Sequence, residues 1–113
     1  MTVINNVDFD VVVQSSIDAT KAVITDNWDD IKDIVKNIAD GLVNDVIFIH
    51  QKKASGEFNE DDSKIFLDDQ KMLARIRLRS VAIIGLQLAE RIWNAIAEVF
   101  RAAIKQAIGF TVL

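Results

Sequence analysis

Apolar or small residues recur through the first half of the chain at Phe9, Val13, Ile17, Thr20, Ile24, Trp28, Ile31, Val35, Ile38, Leu42, Val46 and Ile49. The steps are three or four residues and average about 3.6, the period of an α-helix. The series keeps its phase through Thr25, Asp26 and Asn27, so the spacing predicts one helix over about residues 8–53. A bend near residue 26 is the alternative, because Thr25 or Asp26 can also cap a new helix there. Gly41 costs such a helix about 1 kcal/mol without ending it.

Residues 54–59 carry the clearest punctuation. Lys52 and Lys53 suit a helix C-terminus, Gly56 suits a left-handed closing residue, and Asn59 is a good N-cap. Glu60, Asp61 and Asp62 then place negative charge at the positive end of the next helix dipole. The second helix is predicted over about residues 60–108, closing at Gly109 with a short, loose apolar tail over residues 109–113.

Within that second helix the pattern changes. Ile65, Phe66, Met72, Leu73 and Ile76 lie on the side that becomes polar after residue 86, so the apolar face rotates between Arg79 and Gly85. The helix either breaks near residue 80 or changes neighbours there. From Val81 onward Gln87, Glu90, Arg91, Asn94, Glu98, Arg101 and Lys105 form one narrow polar stripe, and apolar residues fill both flanks.

Two helices joined at residue 56 lie antiparallel, with positions i and about 113 − i side by side. One seam cannot cover a doubly apolar helix, and soluble monomers rarely leave an apolar patch of more than a few hundred Å² in water. The expected fold is therefore all-α, a long antiparallel hairpin that assembles into an oligomeric helical bundle, a two-fold dimer being favoured. The expected interface is Val81, Ile84, Leu88, Ile92, Trp93, Ile96 and Phe100. If both helices break, four shorter ones can instead close into a monomeric bundle.

Composition agrees with this reading. The 113 residues suit one domain, half are hydrophobic, no proline is present, and glycine occurs four times. The net charge of −4 argues against nucleic acid as a partner. Charge is also ordered along the chain, with acidic residues in excess through Gln70 and basic residues in excess from Lys71. In the hairpin register this sets Arg75, Arg77 and Arg79 beside Asp30, Asp33 and Asp40, and Arg101 near Asp8 and Asp10. Exposed pairs of this kind are worth about 0–1 kcal/mol each and fix register more than stability.

Candidate chemistry is sparse. There is no cysteine, which leaves no disulfide, thiolate ligand or thiol nucleophile. His50 lacks a partner at metal-ligand or catalytic spacing, and the acidic clusters lack the glycine-centred calcium loop. No enzyme activity, metal or cofactor is expected. Neither a secretory leader nor a membrane-crossing helix is expected, and the cytoplasm is the default location. The expected function is that of a non-catalytic helical protein acting through self-association and a protein partner. The alternative is a membrane-active or lipid-binding helix with Arg75–Arg79 at anionic headgroups.

Overall fold

A computed structural model describes residues 2–24 and 26–113. Two short strands, β1 (Val3–Ile4) and β2 (Val7–Asp8), precede four helices: α1 (Phe9–Val23), α2 (Trp28–Ala54), α3 (Glu60–Arg79) and α4 (Leu86–Ile108). The helices pack as a compact all-α bundle, 43 × 25 × 18 Å across its Cα atoms. Two unbroken helices would have made a rod roughly 70 Å long.

The strands pair antiparallel, Val3 opposite Asp8 and Ile4 opposite Val7. Asn5 and Asn6 both adopt positive φ (49° and 67°), as a two-residue hairpin turn demands. Asp8 then caps α1, its carboxylate accepting from the Asp10 N–H at 2.9 Å.

The predicted helix over residues 8–53 is two helices. Ile24 is extended (φ −102°, ψ 120°) and Asn27 is left-handed (φ 64°), so the helical backbone stops after Val23 and restarts at Trp28. Thr25 lies outside the described residues. The apolar phase survives because residues 24–27 number four, close to one helical turn, so the spacing crosses the break almost unchanged. Burial also continues through it, at Ile24 and then Ile31.

The turn at residues 54–59 follows its local chemistry. Gly56 has φ 77°. Asn59 and Asp62 make a reciprocal capping box: the Asp62 N–H donates to Asn59 Oδ1 at 2.9 Å, and the Asn59 N–H donates to Asp62 Oδ2 at 3.0 Å. Phe48 packs against Phe66 (5.0 Å between ring centroids) and Phe58 (5.7 Å), bracing α2 against α3 beside the turn.

The other break falls where the apolar face rotates. α3 ends at Arg79, residues 80–85 form turns, and α4 starts after Gly85. α4 is the central helix and packs against α1, α2 and α3. Ala89, Ile92, Trp93, Ile96, Ala97, Phe100, Ala103, Ile104, Ala107 and Ile108 are all buried. Phe9 of α1 meets Phe100 with ring centroids 6.5 Å apart. The two buried hydroxyls of α1 are satisfied inside the helix, Ser16 donating to the Val12 carbonyl and Thr20 to that of Ser16.

The final residues are not loose. Gly109 takes the left-handed conformation (φ 87°), Val112 is buried, and the Thr111 N–H donates to Glu60 Oε2 at 2.9 Å. Lys53 donates to the Ile108 carbonyl, and Arg101 reaches the Leu113 carbonyl rather than Asp8 or Asp10. The tail straps the end of α4 to the turn between α2 and α3.

Candidate interaction surface

The residues expected to form an intermolecular interface lie inside the molecule. Ile84, Ile92, Trp93, Ile96 and Phe100 are core residues, and Val81 and Leu88 are half-buried against that core. The cause is the break after Val23. It turns α1 into a separate helix that covers the α4 flank a two-helix hairpin leaves bare.

Surplus apolar surface exists, but on α3. Leu67, Ala74 and Leu78 face inward and are buried. Ile65, Met72 and Ile76, seven and then four residues apart, run along the opposite side of the same helix. Ile65 and Ile76 are each 64% exposed and Met72 58%. Leu73 widens the stripe, Leu86 borders it beyond the helix end, and Ile83 lies in the turn between, all three about half exposed. Met72, Ile76 and Leu86 share an open groove of about 530 Å³ with Arg75, Arg79 and Ser80.

The predicted charge register is nearly right in position and different in partners. Arg77 Nη1 donates to Asn37 Oδ1 at 3.3 Å, close to the expected antiparallel pairing of α2 and α3. Arg75 instead lies 2.7 Å from Glu90 of α4. Its Nε–H is not directed at the nearby Oε1, which is shielded from solvent, so the contact is an ion pair without an aligned hydrogen bond. Asp40 pairs with Lys36 one turn away at 2.7 Å. Among the described residues Asp30 and Asp33 form no ion pair, and both are exposed. Arg79 is exposed along the α3 groove. Asp30 and Asp33 are thus solvated although α2 and α3 keep the seam that was to pair them, because Arg75 turns to Glu90 of α4 and Arg77 to Asn37.

A second concave feature lies between α2 and α3. Asn44, Asp45, Gln70 and Arg77 rim a cleft of about 220 Å³ that reaches Trp93 of α4. Loss of water around Asp45 raises its pKa from an ordinary 3.8 to about 6, and the positive charge of Arg77 only partly opposes this. Asp45 carries no local motif that marks it in the sequence. Its environment is built by Arg77, 32 residues away in the chain. His50 itself is exposed near the end of α2.

Among the described residues no helix is long and apolar enough to cross a membrane. No protein-family model matches the sequence, and comparison with curated proteins and with solved structures gave no match.

Proposed function

We propose that this protein is a non-catalytic helical association module, acting through self-association and through binding a protein partner, with the cytoplasm as its setting. The outer face of α3 is its docking surface, and a second copy of the chain is the first occupant. The observation that carries this reading is the row Ile65, Met72 and Ile76 along α3, interrupted by Asp69 and continued by Leu86 across the groove, large apolar side chains more than half exposed. Single exposed apolar residues are ordinary, but several on one helix face flanked by charge are the make-up of an interface. Polar residues at these positions would keep α3 folded equally well, since Leu67, Ala74 and Leu78 already supply its core contacts.

A lipid surface is the competing occupant, because Arg75 and Arg79 border the groove as they would border a membrane-seated face. Asp61, Asp68 and Asp69 are exposed on the same helix and repel anionic headgroups, which favours protein. Light scattering over a concentration series tests the reading with the Met72→Asp, Ile76→Asp double variant. The wild-type mass should rise with concentration, while the variant stays monomeric with unchanged helicity and, in dilute solution where both are monomeric, the same melting temperature. A wild-type mass that stays monomeric throughout, or sedimentation with phosphatidylserine vesicles at moderate salt, refutes it.

A further inference from the structure

We infer that two copies pair through α3 in antiparallel orientation, about a two-fold axis passing close to Met72, which rests on the association reading above and specifies its geometry. Two rows along α3 support this. One is the apolar row Ile65, Met72, Ile76, spaced by seven and four residues. The other is Asp61, Asp68, Arg75, Arg79, spaced by seven, seven and four, which therefore runs beside it along one flank. The flanking row is acidic in the first half of the helix and basic in the second. Arg75 and Arg79 line the groove together with Met72 and Ile76, which fixes that row at the edge of the apolar stripe.

A two-fold axis perpendicular to α3 sets each flanking row against its own image running the other way. With the axis at Met72, Arg79 of one copy lies opposite position 65 of the other, between Asp68 and Asp61. Arg75 falls one position from Asp68 while keeping its ion pair with Glu90. The apolar rows interdigitate in the same register. Ile76 falls between Ile65 and Met72 of the second copy, at the height of Asp68 and Asp69, and Ile65 falls beyond Ile76, opposite the end of the helix at Arg79. A parallel pair has the opposite electrostatics: it brings the flank with Asp61 and Asp68 beside the flank with Asp62 and Asp69 at the same height, acid against acid.

The acidic-then-basic order of α3, expected from sequence to be spent between helices of one chain, is in this arrangement spent between copies. A helix of about 30 Å buries on the order of 500 Å² per copy when paired along one stripe, below the usual size of a stable interface. The dimer is therefore reversible and depends on concentration.

Charge reversal tests the geometry, with masses measured by sedimentation equilibrium of the full chain. Arg79→Glu and Asp68→Lys should each weaken dimerisation roughly tenfold, since the symmetry sets two repulsive contacts in every homodimer. An equimolar mixture of the two variants should recover the wild-type mass, because each then offers the charge the other requires. The double variant Arg79→Glu, Asp68→Lys should recover it alone. Both positions are exposed, and circular dichroism checks folding; if a reversal fails to fold, Arg79→Gln and Asp68→Asn replace it, with a smaller weakening expected. Single variants that dimerise like wild type, or a mixture that does not recover, overturn the antiparallel arrangement while a wild-type dimer keeps the association reading intact. A wild-type chain that is monomeric at every concentration overturns both.

Discussion

At Asp45 the loss of water on entering the α2–α3 cleft outweighs the attraction of Arg77, and the carboxyl keeps its proton up to about pH 6. An acid whose pKa rises on folding favours the folded chain only while protonated. That contribution is complete below the ordinary value of 3.8 and is lost as pH climbs through about 6. At neutral pH Asp45 is therefore a net cost. Asp45→Asn should stabilise the protein at pH 7–8 by on the order of 1 kcal/mol, a figure reduced for the half-buried site and for the lost attraction to Arg77. The gain should vanish below about pH 4, where both side chains are neutral. Urea denaturation of both proteins at the two pH values checks this; equal stability throughout would mean that Asp45 stays hydrated. Nothing local marks this residue in the sequence, since its burial and its cationic neighbour are both supplied by α3.

At the scale of the element, what was legible is what the backbone decides within a few residues. Residue type alone points to a left-handed turn at Gly56, an N-cap at Asn59 and a helix end at Gly109, and the dihedral angles and cap bonds have that form. Gly41 lies inside α2, where glycine carries a cost. A Cβ there would meet Arg77 Nη1 at 3.8 Å, an ordinary contact, and the glycine has no left-handed backbone to protect. Gly41→Ala should accordingly raise stability by about 0.5–1 kcal/mol in thermal denaturation; destabilisation would mean that Arg77 and Asn37 need the open space. The break between α1 and α2 was not legible as a break. A four-residue connection keeps the helical spacing, and apolar periodicity reports which residues are buried, not whether one axis joins them. The rotation near residue 80 was seen, and there the chain does leave the helix.

At the scale of the molecule, the sequence correctly implied more apolar surface than two helices can cover, and the error lay in which helix keeps the excess. α4 has neighbours on three helices, whereas α3 buries one face and leaves the opposite one bare. That distinction separates two substitutions of similar chemistry. Phe100→Ala should cost about 3–5 kcal/mol, a large part of the 5–15 kcal/mol typical of a whole domain, and should lower the denaturation midpoint regardless of protein concentration. Changes at Met72 and Ile76 should leave the midpoint almost unmoved in dilute solution, where both proteins are monomeric. If Phe100→Ala altered the solution mass and not the midpoint, the face of α4 would be the docking surface after all.

The two tryptophans occupy unlike surroundings, Trp93 at 2% exposure at the base of the cleft and Trp28 half-buried at the start of α2. With Trp28 replaced by phenylalanine, the remaining indole becomes a lone emitter set in the dry interior yet bordering the Asp45 cleft. Its fluorescence then follows the ionisation of one carboxyl and the filling of one cavity, with no dye attached.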